Sequence, residues 1–500
     1  MAKDLRQFLA EYERDHPEDV VTIERPISLK HEIGILVDLL DRERKFPLLR
    51  IKKPILCNGE PSEYEVIMNE IGSRSKLAYA MNSTWETVSH DWRRLALENK
   101  QKPVVVERSE APVKEVVLKG DDVDMQRFPA YQPYLMLPHP YISLAPMITY
   151  HPEIHVDNMG IHRGEIHSKN RIAFLFSPDN HNSMNFYKYE QEHKKNMKCA
   201  VVVGLHPNVL MASQTKMGYP ESHFEVCGGL LGEPLRLVAS ETLGDDFMVP
   251  ADAEIVIEGE ILAMKRTAEG PYSEYTRHIG AQRWSPYMEV SCITQRKKPL
   301  WSNYAIGRNH AFQGLAREFK VYDMVKRVVP QVTKVYLLPH AGGLDGLGFC
   351  FIQIKKTAEG QAKTAIYAAL TANYGIKHVI VVDDDVDIYD ERMVFWAVGT
   401  RAQPDKDWII IKDVMCSIVD PSIEHHWGSK AGIDATRPAP PEPFLIPTMF
   451  PEEDMKRIKL TDFVPKERLD RIPDAFRKVD PKEGTPEKVP VAIPAESNPG

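Results

Sequence analysis

Cysteine is scarce in this chain: six in 500 residues, at positions 57, 199, 227, 292, 350 and 416, with no CxxC pair. That excludes a disulfide scaffold or a zinc ribbon, and points to reduced, buried thiols in a cytoplasmic protein. Long apolar runs are absent, so no segment is expected to span a bilayer. The first residues, Met1 to Arg6, lack a signal-peptide core. Excess positive charge is missing too. Lys and Arg number 63 against 71 Asp and Glu, a formal net charge of −8, which excludes a basic nucleic-acid footprint. Short basic stretches such as Lys194-Lys195 and Arg296-Lys297-Lys298 read as solvated faces.

Several catalytic signatures are also lacking. There is no GxxxxGK[ST], no HExxH and no GxSxG. Gly343 to Gly348 has glycines at the wrong offsets for a dinucleotide fingerprint and reads as a turn. Asp383, Asp385 and Asp387 alternate as in a calcium loop, but Ile388 stands where that loop needs glycine. A solvated strand end is expected there instead.

What is present is an ordinary globular composition, 43% hydrophobic and 27% charged, long enough for two or three cores. Leu5, Phe8, Leu9 and Tyr12 recur at helical spacing, as do Ile33, Ile35, Leu36, Leu39 and Leu40 within 31–43; Thr84 to Asn99 reads as a further helix. Residues 1–105 therefore read as an N-terminal α/β domain. From 106 to 319 short β-type runs separated by Pro and Gly predict a barrel or sandwich, for instance Ala200 to Val203, Glu254 to Glu258 and Met288 to Cys292. From 320 to 440 strand and helix patterns alternate, predicting a small α/β domain with a mostly buried sheet. Residues 441–500 are rich in Pro and charge and read as an arm that packs on something, ending in a loose tail.

Two segments stand out chemically. Glu269-Gly270-Pro271-Tyr272-Ser273-Glu274 carries two carboxylates across a turn, and Asn158-Met159-Gly160-Ile161-His162-Arg163 lies about a hundred residues earlier. An arginine between two carboxylates holds one ionised and lets the other titrate separately, as an acid/base site requires. A structural Arg–Glu pair at a turn fits the same residue types. Asn158 and His181 offer an oxygen and a nitrogen for a divalent ion such as manganese; for His181 alone a hydrogen-bonded surface or core histidine is the commoner role.

In order and separation these segments resemble the UbiD family of decarboxylases. The resemblance runs from the N-terminal domain to about residue 440. It rests on Asn158-x-Gly160-x-x-Arg163, Pro178-x-x-His181, Gly232-Glu233-Pro234 with Val249 to Gly259, Glu269 to Glu274, and Gly428 to Thr436. It implies an α+β multidomain fold. A central split β-barrel would bind flavin, flanked by the N-terminal α/β domain and a C-terminal α/β oligomerisation domain. It also implies a reversible, non-oxidative carboxy-lyase using prenylated FMN, made by a partner flavin prenyltransferase, with Mn2+ and an optional K+. The substrate would be a small aromatic or heteroaromatic carboxylic acid, and the assembly a homodimer or homohexamer. By similarity Arg163, Glu269 and Glu274 are catalytic, with Glu274 the proton donor, Arg163 steering the substrate carboxylate and Glu269 orienting Arg163. Met159 to Arg163 and Asn180 would line the flavin, and Arg392 matches a phosphate-side contact of some members.

The chain departs from the family at the third metal ligand. His223 stands where the family carries a glutamate, with Glu221 and Glu225 as alternatives after a local shift. Near the acid segment, Tyr275, Arg277, His278 and Arg283, and further on Asn309-His310-Ala311-Phe312, would suit a second carboxylate or a phenolic hydroxyl on the substrate, or else form surface ion pairs. Two further functional readings remain open at this stage: a flavin oxidoreductase on the same barrel, and a non-catalytic subunit of a multi-subunit carboxylase.

Overall fold

The computed structural model describes residues 3–472, except 178–179, 307–310, 340–347, 418, 424–426, 441, 443 and 445–450. The turn expected at Gly343 to Gly348 falls almost wholly outside the described residues, as does the tail from 473 onward.

The centre of the molecule is one nine-stranded sheet curled into a half-barrel. Its strands are β1 (Val116–Lys119), β2 (Tyr141–Ile142), β3 (Pro146–Tyr150), β4 (Asp157–Ile161), β5 (Gly164–Ser168), β6 (Arg171–Phe174), β7 (Met197–Val203), β8 (Ile255–Ile261) and β9 (Tyr287–Gln295). The order is β4-β3-β7-β8-β9-β6-β5-β2, with β1 also on β9, and every pairing is antiparallel. Side chains alternate between the two faces of a strand. On β7, Cys199, Val201 and Val203 enter one core and Ala200 and Val202 the other. Both faces are covered from Cys199 onward, which is why Cys199 to Val203 reads as an unbroken apolar run.

The N-terminal helix Leu5–Asp15 is capped by Asp4 and buries the four residues its periodicity selected. They pack into the same core as Ala200 and Val202. The four-stranded N-terminal sheet is completed by Leu300–Asn303, which pairs in parallel with Glu65–Met68. The N-terminal layer thus borrows a strand from beyond the barrel. The position expected to divide the second and third domains, 319/320, lies inside the helix Ala311–Val328.

The C-terminal sheet has five strands, in the order Val332–Leu337, Phe349–Ile354, His378–Asp383, Trp427–Asp434, Trp408–Met415. Its strands Phe349–Ile354 and His378–Asp383 are buried as expected, while Trp427–Asp434 is buried only in alternation. Its edge strand is not buried: Trp408, Ile410 and Met415, with Trp427 beside them, are exposed. Asp383 is buried at the strand end, while Asp385 and Asp387 just beyond it are exposed, as expected of a solvated strand end. Arg401, its side chain buried, donates to Asp383 and Asp385, at 3.0 and 2.8 Å. None of the six cysteines is paired. Burial pushes the Cys57 thiol up to about 12 and Cys292 to about 11, so both are inert. Among the described residues no helix is long and apolar enough to cross a membrane.

Candidate active site

The curl of the sheet, the helices His181–Tyr187 and His223–Leu231, and the segment 269–274 enclose a cavity of about 380 Å³. That lies within the range of small-molecule and cofactor sites.

Arg163 follows β4 and precedes β5, where the chain reverses between them. Glu269 ends the strand Thr267–Glu269, and Tyr272–Ser273 leads to Glu274. Between them Gly270 has φ +83°, a left-handed turn open to a residue without a β-carbon. That turn brings both carboxylates to one guanidinium. Arg163 donates through Nε and Nη2 to the two oxygens of Glu269, at 2.8 and 2.9 Å, and through Nη1 to Glu274 Oε1. Burial opposes the charge on Arg163, but the fields of Glu274 and Glu269 outweigh it and hold its pKa well above the ordinary value. Glu269 is 0% exposed, and Tyr141 Oη lies 3.4 Å from its Oε1 as donor. Burial, then the carboxylates of Glu269 and Glu165, push the Tyr141 phenol up, so it stays protonated. The Arg163 guanidinium lies over the Tyr272 ring, 4.4 Å from its centroid, adding a cation–π contact. Glu274 lines the cavity while Glu269 stands behind Arg163.

A second group converges from the sheet and two helix N-termini. Asn158 on β4 commits Nδ2 to the buried Asn182 Oδ1, leaving its amide oxygen for a ligand. Asn180 caps the helix His181–Tyr187 by accepting from Ser183 N at 2.8 Å. Ser222 caps the helix His223–Leu231, held in turn by the Asp157 carboxylate, which also accepts from Phe224 N at 2.9 Å. Both capped helices therefore begin with a histidine at the cavity wall. Burial, then the neighbouring His181, pushes His223 down to about 3. Burial and then Lys216 lower His181. Two neutral imidazoles beside an amide oxygen present lone pairs, and His223 Nδ1 is buried with no hydrogen-bond partner. Such a donor set fits a divalent ion, and its lack of any carboxylate leaves the ion's charge to an anionic ligand.

Met159, Gly160, Ile161, His162 and Asn180 line the cavity as the sequence led one to expect. His162 is held neutral, pushed to about 4 by burial, beside Asn182 Nδ2 at 3.1 Å. Glu221 pairs with Lys100, and neither it nor Glu225 lines the cavity, in contrast to His223. Arg392 is a correction: its side chain is 89% exposed, pairs with Asp390 at 3.0 Å and lines no part of the cavity. Arg277 reaches away to Asp41 at 2.7 Å, and His278 and Arg283 are not cavity residues; only Tyr275 of that set is. Asn309 and His310 lie outside the described residues.

The sequence pattern missed three features. Lys216 and Arg317 supply the cavity's other cations, from stretches with no motif. Gly280, paired with Tyr272, makes room for the acid: a β-carbon there would stand 2.9 Å from Glu274 Oε1. Glu165 binds Gly270 N at 2.8 Å, joining the strand after Arg163 to the acid segment. Only the position of Gly280 opposite Tyr272 in a hairpin could have flagged it.

Comparison with known proteins places these residues in context. The 3-octaprenyl-4-hydroxybenzoate carboxy-lyase Rift-related domain of UbiD matches residues 104–309, and the carboxy-lyase C-terminal domain matches 310–435. The anhydromevalonate phosphate decarboxylase of Methanothermobacter thermautotrophicus is 30% identical over 435 residues, covering 84% of this chain and 95% of that one. The phenolic acid decarboxylase of Sedimentibacter hydroxybenzoicus is 29% identical over 464 residues, covering 88% and 93%. Among solved structures, the UbiD-class enzyme HmfF from Pelotomaculum thermopropionicum in complex with FMN superposes with a TM-score of 0.84 at 32% identity, over 92% of this chain and all of that one. An evolved dimeric form of the same enzyme with prenylated FMN gives 0.80 at 32% identity, over 93% and 100%.

Proposed function

The chain belongs to the UbiD family of carboxy-lyases, and on that footing we propose that it removes carbon dioxide, reversibly and without net redox change, from an aromatic or heteroaromatic acid with prenylated FMN. The observation that carries the reading is Arg163 held between a buried Glu269 and a cavity-facing Glu274. When bound, the prenylated flavin supplies the electron sink for the carbon that loses its carboxylate.

The protein's own residues do the rest. Glu269, gripped at both oxygens, fixes the plane of the Arg163 guanidinium. That plane presents the remaining N–H groups to the incoming carboxylate. Glu274, the carboxylate that Arg163 holds, would first take up a proton through the cavity; as the C–C bond breaks and carbon dioxide leaves it gives that proton to the same carbon, and in the reverse direction it takes the proton back. The 12% exposed side chain of Glu274 keeps the transfer away from bulk water.

Asn158, His181 and His223 are the groups that would hold Mn2+, with Lys216 beside them as the cation facing a cofactor phosphate. His223 is the better third ligand than Glu221 or Glu225, because only it faces the cavity. Flavin prenyltransferase is the partner that would supply the cofactor. Ile161, Met217 and Ile306 suit a flat apolar ring, while Arg317 and Tyr275 suit a second polar group on it. The exposed apolar edge of the C-terminal sheet supports assembly with further copies, as a homodimer or homohexamer.

The test is co-expression with a flavin prenyltransferase. The purified chain is then expected to show a modified-flavin absorbance and to release carbon dioxide from one or more of a panel of phenolic, heteroaromatic and acrylic acids, anhydromevalonate phosphate included. Glu274→Gln keeps the absorbance and loses the release. Full activity in that variant would overturn the proton-donor assignment, and substrate-dependent flavin reduction without carbon dioxide release would favour an oxidoreductase.

A further inference from the structure

Outside the cavity lining, a histidine–carboxylate–histidine cluster forms on the strand that follows Arg163. Glu165 and His167 are two apart on β5 and so share a face. His139 approaches from the chain leading into β2, whose Tyr141 is paired with Glu165. The three ligand atoms, His139 Nδ1, a Glu165 carboxylate oxygen and His167 Nε2, all lie within 4.8 Å of one another. We propose that His139, Glu165 and His167 form a second divalent-metal site, of the zinc class, distinct from the Asn158–His181–His223 group.

The donor chemistry is two imidazoles and one carboxylate with a fourth position open, a set suited to tetrahedral Zn2+. His167 Nε2 is 3.2 Å from Glu165 Oε2. Two ligands at zinc-bond length stand about 3.3 Å apart along a tetrahedral edge. Near as it is, that nitrogen is buried and makes no hydrogen bond, so it is poised toward the carboxylate without being used by it. His139 Nδ1 is closer, 2.7 Å from Oε1, and its side chain is 46% exposed, so it can open by the few tenths of an ångström an ion needs and provide the way in. The rings of His139 and His167 sit 5.0 Å apart between centroids, both edges turned to the same carboxylate. Glu165 is 1% exposed, so an ion on it would be shielded from bulk water on that side. Because Oε2 also takes the Gly270 N–H, the bound ion would brace the segment that carries Glu269 and Glu274.

The test uses the full-length chain, stripped with a chelator, in a His181→Ala/His223→Ala background that silences the other metal group. Titration with Zn2+ is expected to show one bound ion per chain, and Co2+ to give visible d–d absorption. His139→Gln, at an exposed position, keeps the circular dichroism of the parent, loses the Co2+ bands and weakens Zn2+ by about 100-fold or more. His167→Gln is expected to do the same. No bound ion in the parent, or weakening below about tenfold in both variants, overturns the site and leaves three residues joined by ordinary hydrogen bonds. Neither measurement needs flavin or substrate, so this outcome is independent of the proposed decarboxylation.

Discussion

Glu269 and Glu70 are both carboxylates with 0% exposure, and the molecule treats them oppositely. Glu269 has a guanidinium locked on both oxygens. Glu70 follows the strand Glu65–Met68 of the N-terminal sheet, and neither of its oxygens has a hydrogen-bond partner. Burial pushes Glu70 up to about 7, against the opposing pull of the neighbouring Ser302 hydroxyl. The difference teaches that depth alone neutralises a carboxyl, whereas depth with a cation preserves a charge that can do work.

Arg163→Met tests the paired side most severely. It leaves Glu269 buried and unpaired, so a loss of about 3–5 kcal/mol is expected in urea unfolding, with decarboxylation falling below detection. Adding Glu269→Leu should recover most of that stability and none of the activity; recovery of activity would show that the arginine only balanced charge.

Glu274→Gln separates chemistry from structure. Turnover should fall by about 10²–10⁴-fold, the usual worth of a positioned acid, while the unfolding midpoint stays near the parent's. A matching loss of stability would mean the acid segment is mainly structural.

Glu70→Gln tests the unpaired side, and its sign depends on pH. The folded pKa of about 7 lies above the unfolded value of about 4.3, so wild-type stability is full below that lower value and declines as pH rises through 7. The glutamine variant escapes that decline. It should gain about 3 kcal/mol on the parent between pH 4 and pH 8. Parallel stability curves for the two proteins would show that Glu70 ionises freely. The smallest effect is expected from Arg392→Ala: an unfolding midpoint indistinguishable from the parent's and unchanged cofactor content, since its ion pair with Asp390 is exposed. Loss of bound flavin there would restore the phosphate contact suggested by family resemblance.

The strands of the half-barrel were legible because β-type runs such as Met288 to Cys292 are bounded by turn residues, and the amphipathic helices because burial follows their period. The Arg163, Glu269 and Glu274 cluster was legible only through the order of its segments; residue types alone fitted a structural pair equally well. The missing parts share a cause. Leu300–Asn303 joins strands more than two hundred residues away, and no local pattern encodes a parallel partner. Arg277 lies three residues after Glu274 yet turns to Asp41, and Arg392 turns to Asp390, two residues before it, at the surface. Proximity along the chain says little about which way a long cationic side chain turns. The edge strand Trp408–Met415 read as buried because its apolar content is high, but burial there needs a neighbour that the described residues do not supply.

Gly280 carries a consequence for how this pocket can change. With so little clearance beside Glu274, the rotamer open to the acid is fixed from across a hairpin, by an atom that is missing. Alanine at 280 would act as a steric dial, turning the carboxyl relative to Arg163 without altering the charge or identity of any catalytic group.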